Sequence, residues 1–249
     1  MTRILLLGGT TEAGLMARAI ADAGLEGVYS YAGRTDAPLG QPIHMRVGGF
    51  GGVEGLRAYL AAEGITHVID ATHPFAAQMS GNAVAACAAM DIPLIALERA
   101  PWVAGEGDRW THLADLGAAA AALSGPARRV FLAIGRQHLA AFTGQPQHHY
   151  LVRLVDAPDA PLPLPQVRVI VARGPFDMAG DTALMRDHGT DIVVAKNAGG
   201  KGAVAKIAAA RALGLPVLMI DRPVIPVRRV ARTVAEVMGW LDHPARLGV

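Results

Sequence analysis

The sequence predicts an α/β protein built from two doubly wound parallel sheets. Three observations carry that expectation. Short apolar runs alternate along the chain with segments of helical period, the pattern of buried parallel strands joined by crossover helices. Nearly every run stops at a glycine-rich or charged tag, where a strand end hands over to a loop. One polar passage, residues 99–110, interrupts the alternation and divides the chain into domains 1–100 and 101–249.

The first run, Ile4-Leu5-Leu6-Leu7, halts at Gly8-Gly9-Thr10-Thr11, and a helical pattern continues through Leu15, Ala19 and Ile20 to Ala23-Gly24. A buried strand feeding a helix N-terminus leaves backbone N–H groups and the positive end of the dipole facing the turn, a ready site for a phosphate or pyrophosphate. The plainer alternative keeps Gly8 and Gly9 only for a positive φ. Residues 28–32 form the second strand, ending at Gly33-Arg34-Thr35, and residues 43–47 the third, ending at Gly48-Gly49-Phe50-Gly51-Gly52. Residues 53–63 are helical, with Leu56, Tyr59 and Leu60 on one face. Residues 66–72 give the fourth strand, Pro74 opens a helix running to about residue 90, and residues 93–97 give the fifth.

Beyond the polar passage the alternation resumes. Strands at 130–134, 150–155, 167–172, 192–195 and 217–220 precede Gly135-Arg136, a proline-rich loop, Arg173-Gly174-Pro175-Phe176, the segment Lys196-Asn197-Ala198-Gly199-Gly200-Lys201-Gly202, and Asp221-Arg222-Pro223. A last helix at 231–241 is placed to fold back across the boundary. Two Rossmann-like units in series put the active site in a cleft between them.

Composition narrows the function. The chain has 249 residues, of which 52% are hydrophobic, and a net charge of +2. That charge is too small for a protein that neutralises many phosphates of a nucleic acid, but it suits a small anionic ligand. A single cysteine, Cys87, excludes an intrachain disulfide and points to a reducing, cytoplasmic setting. No run approaches the ~18 residues of a membrane span, and no secretory signal is expected. Adjacent strand positions send His148 and His149 to opposite faces, and no HxxxH spacing occurs, so no metal site is expected.

Ligands of open parallel sheets bind beyond the carboxyl ends of the strands. At the second strand end an NAD site would present a carboxylate to the ribose; Arg34 and Thr35 suit a 2′-phosphate and favour NADP, unless Arg34 is a solvated cation, and Asp36 nearby leaves that open. The tag Asp70-Ala71-Thr72-His73-Pro74-Phe75-Ala76 falls where a nicotinamide would lie, with Thr72 or His73 able to meet it; alternatively Asp70 and Thr72 cap the next helix. In the second half Lys196 and Lys201 combine with glycines as an anion site. With Arg136, Arg173 and Arg222 they suggest a substrate bearing several carboxylates or phosphates.

Taken in order, Leu7-Gly8-Gly9-Thr10-Thr11-Glu12-Ala13, Gly33-Arg34-Thr35, Gly48-Gly49-Phe50, the Asp70–Ala76 tag, Gly135-Arg136, Gly174-Pro175-Phe176, Lys196-Asn197-Ala198-Gly199-Gly200 and Arg222-Pro223 resemble the precorrin-6A reductase family of cobalamin biosynthesis. Ala195-Lys196-Asn197-Ala198 departs from the Thr-Lys-Asp/Glu-Ser run of the family. The resemblance implies NADPH-dependent reduction of one carbon–carbon double bond of a corrin precursor, precorrin-6A to precorrin-6B, without flavin or metal. It implies Gly8, Gly9, Thr10, Thr11 and Glu12 at the pyrophosphate, Arg34 and Thr35 at the 2′-phosphate, and Gly49 in the cofactor site. Thr72 and His73 fall at the nicotinamide, with His73 as the catalytic position. Arg136, Lys196, Lys201 and Arg222 fall on substrate carboxylates; no residue stands out as an obligatory general acid, which leaves the proton donor open, solvent included. Partners are then the polycarboxylate tetrapyrrole and transient contacts with neighbouring pathway enzymes, with no nucleic acid and no membrane. A short-chain dehydrogenase is a weaker reading, since none of Tyr29, Tyr31, Tyr59 and Tyr150 has a lysine four residues on. A non-catalytic NADP-binding regulator is the other alternative.

Overall fold

A computed structural model of the chain describes residues 1–33 and 38–242; Arg34 and Thr35 lie outside the described residues. In chain order the elements are β1 (Arg3–Leu7), α1 (Thr11–Asp22), β2 (Glu26–Tyr31), β3 (His44–Val47), α2 (Gly52–Ala62), β4 (His67–Asp70), α3 (Ala77–Met90) and β5 (Leu94–Leu97). There follow β6 (Arg109–Leu113), α4 (Leu116–Ala121), β7 (Arg129–Ala133), a 3-10 helix (Arg136–Phe142), β8 (His149–Leu154), β9 (Val167–Val171), α5 (Met178–His188), β10 (Ile192–Lys196), α6 (Ala205–Ala212) and β11 (Pro216–Ile220). The last are β12 (Arg229–Ala231) and α7 (Val234–Asp242).

The chain forms two compact units. Met1–Ala100 joins the segment from Val224 onward, and Pro101–Pro223 forms the other. The second unit therefore ends at Pro223, because β12 pairs in parallel with β5 and α7 covers the same face as α1.

Each unit holds one six-stranded parallel sheet, in the order β12-β5-β4-β1-β2-β3 and β6-β11-β10-β7-β8-β9. The winding is the same in both, with the switch points at β1/β4 and β7/β10. Only the sixth strand differs: the first sheet takes it from the chain's last segment, and the second from the residues just after the boundary.

Burial on both faces explains the unbroken apolar strands. Ile4 and Leu6 point to the core under α1 and α7, while Leu5 and Leu7 point to the core under α2 and α3. Each such side chain contributes about 1.5–3 kcal/mol on burial. Helix α1 buries Ala13, Met16, Ala17 and Ile20, one face at 3.6-residue spacing, so Leu15 faces outward instead of joining the apolar stripe.

Three other expectations are corrected. Helix α3 begins at Ala77 and not at Pro74, and its first residues carry no side-chain cap. Asp70 and Thr72 do not cap it: the Thr72 N–H and hydroxyl both donate to Asp70 Oδ1, at 3.1 and 2.7 Å, and close a turn of their own. Residues 109–113 and 229–231 are edge strands. Their polar, half-exposed sequences lack the apolar run that marks a central strand.

Cys87 is buried in α3, and burial pushes its thiol up to about 12. Two buried histidines set an acid limit on stability. Burial lowers the pKa of both His67 and His188 below the ordinary 6.5, with Arg129 and Arg168 adding to the effect on His188. The unfolded chain then binds protons that the folded chain does not, so stability is full above pH 6.5 and falls as the pH drops below it. The melting temperature is expected to fall between about pH 7 and 5.5, with a shallower slope in a His67→Gln/His188→Gln variant. An unchanged slope in that variant would refute the assignment.

Candidate cofactor and substrate sites

At the β1–α1 turn, Gly8 lies against the ring of Tyr29: a Cβ there would collide with Tyr29 Cε1 and Cζ and sit 2.5 Å from its hydroxyl oxygen. The Gly9 N–H donates to that hydroxyl at 2.9 Å. Burial raises the Tyr29 pKa, so the phenol stays protonated. Thr10 is committed to the fold. Its Oγ1 donates to the Ala71 carbonyl at 2.8 Å, joining the β1 and β4 ends, and accepts from the Ala13 N–H at 3.1 Å. Among the described residues, the amides of Thr10, Thr11 and Glu12 have no protein acceptor. Of these three residues Thr10 and Thr11 line a cavity of about 520 Å³, together with Gly9, Gly14, Arg18, Tyr31 and Gln41. Glu12 pairs with Arg99 at 2.6 Å, which offsets a carboxylate that would otherwise repel an anion at this turn.

At the next strand end, Arg46 holds the Gly48–Gly52 turn. Its guanidinium donates to Ser30 Oγ (2.6 Å) and to the carbonyls of Gly48 (2.9 Å) and Gly49 (3.2 Å), and it lies 3.9 Å over the Phe50 ring. Gly49 is thus fixed through its carbonyl, while space beyond its Cα is open.

Beyond β4, His73 Nδ1 accepts from the Phe75 N–H at 3.2 Å, which puts the proton of the neutral ring on Nε2. Asp70 beneath it is buried and faces Arg228 across 4.0 Å; Arg228 in turn pairs with Glu98 at 2.6 Å. The segment leading into β12 thus neutralises the carboxylates at the β4 and β5 ends.

In the second unit, neighbouring strand ends bring the expected cations together. Arg222, after β11, donates to the carbonyls of Asn197 and Ala198 at 3.0 and 3.1 Å, which fastens it to the turn after β10. In that turn Gly199 and Gly200 both have φ near +70° (69° and 70°), where side chains are strained. Asn197 binds both the N–H and the carbonyl of Trp102, and the Trp102 indole donates to the Gly200 carbonyl at 2.8 Å. Lys196 is buried at the end of β10, while Lys201 is exposed. Arg136, after β7, is exposed and pairs loosely with Asp159 at 3.3 Å. Arg173 stands farther off, after β9. Phe176 of the Gly174-Pro175-Phe176 tag is half-buried and stacks on Arg153, whose guanidinium carbon lies 3.6 Å from the ring centroid, while Gly174 and Pro175 are exposed.

The model of the precorrin-6x reductase family, CbiJ/CobK, matches residues 3–242. The chain belongs to this family. It is 63% identical over 246 residues to the precorrin-6A reductase of Rhodobacter capsulatus, with 98% of each chain covered. The precorrin-6A reductase of Rhodococcus erythropolis is 47% identical over 248 residues, covering 99% of this chain and all of its own. The cobalt-precorrin-6A reductase of Priestia megaterium is 32% identical over 255 residues, at 98% and 99% coverage. A solved CobK precorrin-6A reductase superposes with a TM-score of 0.95 at 63% identity, covering 98% of both chains. Membership of CbiJ/CobK makes this chain an oxidoreductase, and its two parallel sheets are the fold of that relative.

Several residues of this CbiJ/CobK member are not legible in its sequence. Tyr29 was hidden as one more residue of a strand, although an aromatic one turn of sheet away from a Gly-Gly pair is a usable signal. Arg99 and Arg228 find their partners only through the winding of the sheet, and Arg46 reaches Ser30 in the same way. His112 and Asp221, in contact at the ends of β6 and β11, are obscured because the residues of β6 continue the polar passage between the domains. Among the described residues no helix is long and apolar enough to cross a membrane, and no group of three or more His, Cys, Asp or Glu is placed to hold a metal.

Proposed function

We propose that this chain catalyses the NADPH-dependent reduction of one carbon–carbon double bond of precorrin-6A, giving precorrin-6B, in cytoplasmic cobalamin biosynthesis. The observation that carries the cofactor half is the β1–α1 turn, where the amides of Thr10, Thr11 and Glu12 have no protein acceptor among the described residues and Thr10 and Thr11 border an open cavity. Such a turn fits a pyrophosphate. In this reading the backbone of Thr10, Thr11 and Glu12 holds the pyrophosphate, Gly8 and Gly9 permit its approach, and Arg34 and Thr35 receive the 2′-phosphate. Gly49 borders the adenosine, and Thr72 and His73 border the nicotinamide. When bound, NADPH supplies a hydride; the first unit's work is to orient it.

The second unit supplies charge for a substrate rimmed by acetate and propionate groups. Arg222 and Lys196 stand on adjacent strand ends, and Arg136 and Lys201 flank them. Two charges 4 Å apart attract by about 4 kcal/mol near a protein surface against about 1 in bulk water. An anchor as exposed as Lys201 is therefore weaker than one shielded from bulk water. Identities of 63% and 47% to precorrin-6A reductases, against 32% to a cobalt-precorrin-6A reductase, support the cobalt-free substrate.

The test is turnover. Adding precorrin-6A is expected to oxidise NADPH and carry deuteride from labelled cofactor into the ring. NADPH is expected to bind more tightly than NADH, with that preference lost in Arg34→Ala. Cofactor binding without tetrapyrrole turnover would favour a regulator instead, and equal weakening of both cofactors in Arg34→Ala would remove the 2′-phosphate role.

A further inference from the structure

Reduction of a carbon–carbon double bond takes a hydride and a proton, and the residues assigned so far account only for the hydride. The second unit contains a cavity of about 480 Å³ whose lining includes Trp102, Val103, His112, Asn197, Asp221 and Arg222. It opens at the ends of β6, β11 and β10, the same strand ends that carry Lys196 and Arg222.

His112 and Asp221 meet in it. Parallel pairing of β6 with β11 sets His112 opposite Met219 and Leu113 opposite Ile220, and the Asp221 N–H donates to the Leu113 carbonyl at 2.8 Å. The two side chains are then drawn into contact, with His112 Nδ1 2.6 Å from Asp221 Oδ1. Both remain about half exposed, at 51% and 47%, so the pair faces the cavity and is not a core tie. An ionised carboxylate accepts only, so Nδ1 carries a proton, and the contact fixes the tautomer and orientation of the ring. Nε2 has no partner among the described residues and is the nitrogen left for the cavity. Arg222, on the same cavity wall, is tied to the carbonyls of Asn197 and Ala198. A histidine oriented by a carboxylate in an open, cation-flanked cavity has the construction of a general acid.

We propose that His112 is the proton donor of the reduction and Asp221 its positioning residue; this rests on the reductase reading above. The hydride adds to one carbon of the double bond, and the bond's own electron pair takes the proton from His112 Nε2 at the other end of the conjugated system. The cofactor is oxidised and the macrocycle gains one hydride and one proton. Neutral imidazole remains, with its Nδ1–H still on Asp221, and solvent reprotonates Nε2. The cavity side of the second unit is thereby the face on which the ring is protonated.

The experiment begins with the wild-type protein, NADPH and precorrin-6A. If the wild type does not oxidise NADPH, the reductase reading itself fails, before any variant is made. Given wild-type turnover, His112→Gln is expected to lose about 10²–10⁴-fold in kcat. Precorrin-6A binding to the cofactor-free protein, read by quenching of tryptophan fluorescence, should stay within about threefold of wild type. His112→Gly is expected to regain at least about tenfold in rate with added imidazole. Asp221→Asn should fall between wild type and His112→Gln in kcat, with recovery in Asp221→Glu. Wild-type kcat in His112→Gln overturns the proposal. So does a rate loss matched by an equal loss of tetrapyrrole binding and not rescued by imidazole, because that pattern marks a binding or structural role.

Discussion

Gly8→Ala is expected to weaken NADPH binding by at least about tenfold and to destabilise the first unit by roughly 1–3 kcal/mol. The reason is steric. The added methyl collides with the Tyr29 ring, and Tyr29 cannot swing away, since it is 1% exposed and stacked on Tyr31 with ring centroids 4.5 Å apart. Either the ring or the turn must shift, and the Gly9 N–H to Tyr29 hydrogen bond that holds the turn is the first casualty. Calorimetric titration and chemical denaturation read the two effects. Gly49→Ala is the control for crowding by the cofactor alone: its Cβ meets no protein atom, so its stability should match wild type whatever happens to binding. Wild-type binding and stability in Gly8→Ala would show that Tyr29 does not brace the turn.

Asp181→Ala is expected to cost the second unit roughly 3–5 kcal/mol, the penalty for stranding one member of a buried ion pair. Arg153 is 11% exposed and Asp181 3% exposed, and both guanidinium nitrogens face the carboxylate, with Nη2 to Oδ2 at 3.3 Å. The same guanidinium is sandwiched by Phe176 and Phe131, at 3.6 and 5.6 Å from the ring centroids. Removing the carboxylate leaves a cation in apolar surroundings that it cannot leave without unpacking both rings. An Arg153→Met/Asp181→Leu double variant, which removes both charges, should be markedly more stable than Asp181→Ala. Denaturant unfolding followed by far-UV circular dichroism checks both. A cost under about 1 kcal/mol for Asp181→Ala would place this pair among the weak surface bridges.

The parts of the candidate sites legible in the sequence are those whose chemistry is local. The glycine turn, the Asp70–Ala76 tag and the lysine–glycine turn after β10 announce themselves because a strand end, a positive φ and a free helix N-terminus are consequences of consecutive residues. Side-chain allegiance is not local. Thr10 reads as a phosphate ligand, but its hydroxyl is spent between Ala71 and Ala13, so its backbone amide is what remains for an anion. Asp70 and Thr72 read as helix caps and instead close a turn on each other.

By itself the sequence determined that this protein is two parallel α/β units, because short apolar runs that stop at glycine tags and alternate with helical segments read as strands covered on both faces. It also determined which strand ends carry glycine and cation. Tertiary structure alone decided which of those ends are neighbours. Pairing β6 with β11 and β12 with β5 joins residues more than a hundred positions apart, His112 with Asp221 and Glu98 with Arg228. β6 is polar and half-solvated and β12 is only three residues long, so little in their own residues marks them. Their place is set by the sheet edge that needs covering, a property of the folded molecule and of no segment within it.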